Sequence, residues 1–133
     1  MTNLDFITTA FRRIGMIDEN EVPSAEQGQV GLRCLNQLLA AWSESSLTFP
    51  SWFTQTDLSA TLPLPDWSER AVGAGLCIEL AAEYDRPVSD ALATIAANSY
   101  QALLVKRMNQ QLQPIDLSHL PQGSAAGCYD ITA

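Results

Sequence analysis

Apolar positions recur along the chain with a helical period in four segments and with a two-residue period in one. In the first segment Ile7, Ala10, Phe11 and Ile14 fall at i, i+3, i+4 and i+7, which places one apolar stripe on a helix over 3–14. Thr2 and Asp5 have the spacing of a capping box at its start. Arg12 and Arg13 suit the negative end of its dipole, and Gly15 supplies the left-handed position that stops it. After an acidic connection over 16–23, Ser24 and Gln27 form a second capping box and open a helix that reads to about residue 45. Gly28, Gly31, Leu32, Leu35, Leu38, Leu39 and Trp42 trace its buried face. Its glycines are unfavourable inside a helix, by about 1 kcal/mol each relative to Ala, and point to a close neighbour.

Residues 47–65 break this period. Pro50, Pro63 and Pro65 exclude a long helix, while Leu58, Ala60, Leu62 and Leu64 alternate with polar or proline positions. The pattern predicts a short β-hairpin or an extended loop, with a turn near Asp57. A third helix is expected from Asp66, with Glu69 completing a third capping box, to Tyr84. Between Ala71 and Tyr84 only Glu79 and Glu83 interrupt a run of apolar and small residues. A helix apolar nearly all round belongs at the centre of a bundle, and Gly73 and Gly75 again indicate close approach. Asp85-Arg86-Pro87 ends it.

The fourth helix begins near Ser89 and reaches about Gln111. It carries two apolar faces. Leu92, Ile95, Ala96, Ser99 and Leu103 line one; Ala93, Ala97, Tyr100, Leu104 and Met108 line the other. Two faces call for two packing partners, one of them available to another subunit. Beyond it, residues 113–133 contain Pro114, Pro121, Gly123 and Gly127 and no basic residue, punctuated by Ile115, Leu117, Leu120, Tyr129 and Ile131. This stretch reads either as a frayed terminus or as an extended arm that orders on a partner. The expectation is a mainly α protein. It is a compact bundle of four main helices over 1–112, with a β-like insertion at 47–65 and an extended C-terminal arm over 113–133.

Composition narrows the functions. Hydrophobic residues make up 47% of the 133 positions and charged ones 17%, below the ~25% of an average soluble domain. Such a chain folds, and its low charge suits a subunit that buries surface on assembly. Seven Lys and Arg stand against fifteen Asp and Glu, for a net charge of −8, and Lys106 is the only lysine. No basic footprint exists for tight nucleic-acid binding or for an anionic membrane. The acid excess serves either solubility or a passage through which DNA slides without sticking. Cys34, Cys77 and Cys128 are odd in number and widely spaced, and they fit a reducing compartment. Neither a signal peptide nor a membrane-spanning run is expected.

Catalytic signals are sparse. His119 is the only histidine, no zinc spacing occurs, and neither phosphate-binding glycine motif is present. No cofactor is expected. Glu79, Glu83 and Asp85 form the one carboxylate group to weigh. Glu79 and Glu83 lie one turn apart and point the same way, whereas a glycosidase needs carboxylates across a cleft. Arg86 is placed to neutralise them, so a solvated or ion-paired stripe is the simpler reading. Among aromatic residues, Trp42 belongs to the core and Trp67 to a staple against the incoming loop. Trp52 and Phe53 are the surface candidates.

Three marks in fixed order carry a family resemblance. They are Leu4-Asp5-Phe6-Ile7 through Ala10-Phe11-Arg12-Arg13-Ile14-Gly15; Leu35-Asn36-Gln37-Leu38-Leu39-Ala40-Ala41-Trp42; and Ala71 to Tyr84 followed by Asp85-Arg86-Pro87-Val88-Ser89 and an Ala-rich helix through Tyr100. Over residues 3–112 the chain resembles the head-to-tail adaptor (tail accessory factor) family of short-tailed bacteriophages, the head-completion connector proteins. The resemblance implies a non-enzymatic structural protein of the virion, made in the host bacterial cytoplasm and placed at the head–tail junction. Copies, about twelve in a closed ring, would dock under the portal protein, extend the DNA channel without binding DNA specifically, and receive the downstream tail or nozzle protein. By the same analogy Ile115, Leu117, Leu120, Tyr129 and Ile131 would grip the portal or a neighbouring subunit. Trp52, Phe53 and Leu58 would face a neighbour or the tail. The arm of this chain is much shorter than the family's. Two other classes stay open: a small cell-wall (peptidoglycan) hydrolase of a tail, resting on Glu79, Glu83 or Asp85, and a cytosolic helical interaction module.

Overall fold

A computed structural model describes residues 1–45 and 47–111. Its helices are α1 (Asn3–Arg13), α2 (Ala25–Glu44), α3 (Glu69–Glu83) and α4 (Asp90–Gln111), with one 3-10 turn (Asp66–Ser68) ahead of α3. The proposed arm residues Ile115, Leu117, Leu120, Tyr129 and Ile131, with His119 and Cys128, lie outside the described residues.

Two of the expected capping boxes are present. The Thr2 hydroxyl accepts from the Asp5 backbone N–H at 3.1 Å and the Asp5 carboxylate accepts from Thr2 N–H at 3.2 Å. Ser24 and Gln27 repeat the arrangement at the start of α2. Gly15, at φ 75, ends α1 in the left-handed region, as its place after Ile14 predicts. The third box does not form. Pro65 fixes the chain so that residues 66–68 wind as a 3-10 turn, and the Ser68 hydroxyl turns back to the Pro65 carbonyl at 2.6 Å. No side chain then caps α3, which begins at Glu69 rather than Asp66. Asp85, at φ 54, turns the chain out of α3, and the Ser89 hydroxyl accepts from Leu92 N–H to start α4.

Helix α3 is the hub. It packs on α1, α2 and α4, and Val72, Ala74, Leu76, Cys77, Leu80 and Ala81 are fully enclosed. The apolar stripes of α1 and α2 face it, with Ile7, Phe11 and Leu35 also at 0% exposure. Glycines set the spacing. Ile7 lies over Gly31 so closely that a Cβ there would overlap its Cγ2. Gly75 leaves room for Leu38 and for the Trp42 ring, which reaches past it to Tyr100 of α4 at 5.0 Å between ring centres.

Of the two alternatives for 47–65, the extended loop is the one found. Among the described residues no strand forms, and a single antiparallel bridge joins Thr2 to Thr61. The alternation still holds in part: Leu62 and Leu64 are buried, while Ser59 and Thr61 are exposed. The segment crosses the start of α1 instead of pairing with itself. Its carbonyls at Ala60 and Leu58 accept from Asn3 N–H (3.0 Å) and Leu4 N–H (2.9 Å), and Leu62 N–H donates to the Met1 carbonyl. With the capping box serving Thr2 N–H and Asp5 N–H, all four donors that an α-helix leaves open at its N-terminus are satisfied.

Candidate functional site

The loop is pinned by a network of side-chain amides. Asn3 Nδ2 donates to Gln55 Oε1 and to the Asp57 carbonyl, both at 2.8 Å. Gln55 Nε2 donates to the Phe53 carbonyl at 2.8 Å. Asn36, on α2, takes the place of a strand partner: its Nδ2 donates to the Gln55 carbonyl (2.8 Å) and its Oδ1 accepts from Gln55 N–H (2.9 Å). Asn3 and Gln55 are buried at 0% and 3%. In a site of low polarity such bonds are strong and their loss is expensive, so the network fixes the loop's register. Asp57 forms the expected turn, its carboxylate accepting from Ser59 N–H and hydroxyl. Those bonds hold the carboxyl below its ordinary pKa.

The three loop residues singled out from the sequence separate. Phe53 projects outward, 65% exposed. Trp52 is half-buried against the core. Leu58 is half-buried too, its methyl seated where Gly28 lacks a side chain. Of the three, only Phe53 presents a largely exposed ring, while Leu58 and much of Trp52 pack on the fold.

The carboxylate group does not form a cleft. Glu83 pairs with Arg33 of α2 at 2.6 Å on the open surface, and Glu79 and Asp85 are exposed. None of the three lines the surface grooves described below. The expectation that Arg86 neutralises them is corrected. The left-handed turn at Asp85 carries Arg86 off that face, and its Nε donates to the Met16 sulfur at 3.1 Å. Cys34 and Cys77 are core residues as expected, and burial pushes both thiols above their ordinary pKa. Among the described residues no group of three His, Cys, Asp or Glu side chains is arranged to hold a metal ion. No helix there is long and apolar enough to cross a membrane.

A concavity lies between the start of α3 and the middle of α4. It has a volume of about 430 Å³ and is lined by apolar atoms of Trp67, Ile95 and Leu103, with Arg70 and Lys106 at its rim. Trp67 meets the loop through Phe49, ring centres 5.8 Å apart, as a staple should. Its other side carries the Lys106 ammonium, 4.4 Å from the ring centre. Smaller grooves run between α1 and α3, beside Arg13 and Glu69, and along α2 beside Asn36 and Gln55.

The two apolar faces expected on α4 fare differently. Leu92 and Leu103 are buried and Ile95, Ala96 and Ser99 half-buried, so the first face packs on the core and borders the Trp67 groove. Of the second, Tyr100 and Leu104 are half-buried, whereas Ala93, Ala97 and Met108 are exposed. Val105 joins them at 55% and Met108 stands at 58%. Two surface features had no separate signal in the sequence: the groove at Trp67, which needs residues some forty positions apart, and Val22, 69% exposed in the acidic connection. Comparison with family models and with curated proteins returns no match.

Proposed function

We propose that the chain is a structural subunit of a phage virion: a head-to-tail connector that forms a ring under the portal protein, extends the DNA channel and receives the tail. The observation that carries this reading is the side of α4 that no other described element covers, where Val105 and Met108 stand more than half exposed in a chain of only 17% charged residues. Large side chains left in water on a helix anchored to the core by Leu92 and Leu103 suit a surface reserved for a neighbour. The ordered sequence marks over 3–112 supply the family. The net charge of −8 suits a wall past which DNA moves, since like charge disfavours sticking.

The reading is tested by mixing the purified chain with portal rings from the same genome and weighing the product by native mass spectrometry. About twelve copies per portal are expected, as a closed cyclic ring requires. Absence of binding at micromolar concentration overturns the proposal. The wall-hydrolase reading draws no support from the paired, surface-exposed Glu83; lysis by the wild type that is lost in Glu79→Gln/Glu83→Gln would restore it.

A further inference from the structure

Two surfaces at opposite ends of α3 complement each other. At its N-terminal end is the groove floored by Trp67, Ile95 and Leu103, and both charged residues lining it, Arg70 and Lys106, are positive. At the other end lies the connection between α1 and α2. Met16 touches Arg86 and Phe11 packs on Tyr84, which fixes that connection beside the C-terminus of α3. It carries exposed Asp18, Glu19 and Glu21 and, next to them, Val22, the most exposed large apolar side chain described. The turn is held in place: Glu21 N–H donates to the Asp18 carbonyl at 3.1 Å and Arg12 Nη2 to the Glu21 carbonyl at 3.2 Å. Pro23 follows and restricts the backbone further. An apolar knob flanked by three carboxylates faces away from one end, and an apolar groove flanked by two cations opens at the other.

We infer that the groove receives the acidic connection of a second copy of this chain, with Val22 against Trp67, Ile95 and Leu103, and with Glu19 and Glu21 facing Arg70 and Lys106. The two surfaces are separated by the length of α3, roughly 22 Å for fifteen residues, so one chain cannot satisfy both by itself. The contact is head-to-tail, and repetition of a head-to-tail contact gives a ring if the rotation closes and a filament if it does not. This is the contact between neighbouring copies that the connector ring requires, and its closure into a ring rests on that reading; the pairing itself is read from the two surfaces. Because the turn is already fixed, little ordering is lost on binding. Because the flanking charges are exposed, the contact weakens with salt.

The test uses two variants of the full chain, each with its fold checked by circular dichroism. Arg70→Glu/Lys106→Glu disables the groove and keeps the connection. Val22→Asp disables the connection and keeps the groove. By sedimentation velocity at low salt the wild type is expected to self-associate, with affinity falling about tenfold or more when the salt is raised well beyond screening strength. Either variant alone is expected to stay monomeric, and their mixture to form one-to-one complexes that grow no further, because one good groove and one good connection remain. Lys106→Arg should retain association. A wild type that is monomeric at low salt, or variants that associate as it does, overturn the contact. So does association that appears only after Ile115→Asp/Leu117→Asp, which would make the groove's occupant the chain's own following segment. The portal experiment separates the two proposals. Variants that still decorate the portal as the wild type does refute the contact and leave the connector reading standing. Head-to-tail pairing without portal binding does the reverse.

Discussion

On the side where α1 and α2 meet α3, missing side chains let neighbours sink in: Ile7 lies over Gly31, Leu58 over Gly28, Leu38 and Trp42 over Gly75. Buried amides close the edge of that side. On the outer side of α4 nothing of the kind occurs among the described residues. Val105 and Met108 stand out from the surface, and Trp67 is covered on one side by a lysine rather than by a packed element. Both sides draw on the same kinds of residue. What differs is whether a second described element comes within reach, and the contrast separates the packing that holds the described fold from the apolar surface it leaves open.

Substitutions should sort by side. The largest loss is expected for Gly31→Leu. The new side chain has no space beneath Ile7, whose branched Cβ cannot swing away, and overpacking should lower stability by about 3 kcal/mol in urea unfolding. An unchanged midpoint would mean that α1 and α2 are not in close contact. Gln55→Ala comes next. It removes the acceptor of Asn3 Nδ2 and the donor to the Phe53 carbonyl within a buried setting, for about 2 kcal/mol. Thr2→Ala should remove about 1 kcal/mol by opening the cap of α1. The same cap has a pH signature. Bonds from the Thr2 N–H, then its hydroxyl, hold the Asp5 carboxyl below its ordinary value. Its contribution is therefore complete above the unfolded-state pKa and disappears as pH falls through the lower folded-state value. Asp5→Asn should flatten that acid-side loss, and Thr2→Ala, which keeps the backbone N–H, should lessen it only in part, read from unfolding curves at a series of pH values. The smallest effect belongs to the other side. Val105→Ser/Met108→Ser should leave unfolding within about 0.5 kcal/mol of the wild type while reducing the copies found on a portal. A large loss of stability there would erase the distinction between the sides.

Much of the helical frame was legible because its signals are local. The Thr2/Asp5 and Ser24/Gln27 boxes, Gly15 as a stop, and the stripes of α1 and α2 each depend on residues a few positions apart. Gly31 and Gly75 announced close packing without saying what would occupy the space. The Asp66/Glu69 box failed because the same spacing also fits a 3-10 turn once Pro65 directs the chain. The loop's two-residue period marked extended backbone correctly, but a period cannot say whether the partner is another strand or, as here, the start of a helix. Nor could the period show that Leu58, read as a contact for a neighbour or the tail, also packs a methyl over Gly28. The amides Asn3, Asn36 and Gln55 look like surface residues in the sequence, since only their meeting across long separations makes them core. The rim of the Trp67 groove was illegible on the same ground, although each of its residues was in view.

The clasp between the loop and α1 also has a kinetic meaning. Asn3 and Gln55 are 52 positions apart, so their bond can form only after a long stretch of chain has closed, whereas α1 meets α2 across the short connection 14–24 and α3 meets α4 across 84–89. Closing a loop of that length carries an entropy penalty that nearby contacts avoid. The clasp should therefore close after the folding barrier, as the last stitch rather than the first. Variants that break it, Gln55→Ala among them, are expected to unfold faster while folding at nearly the wild-type rate.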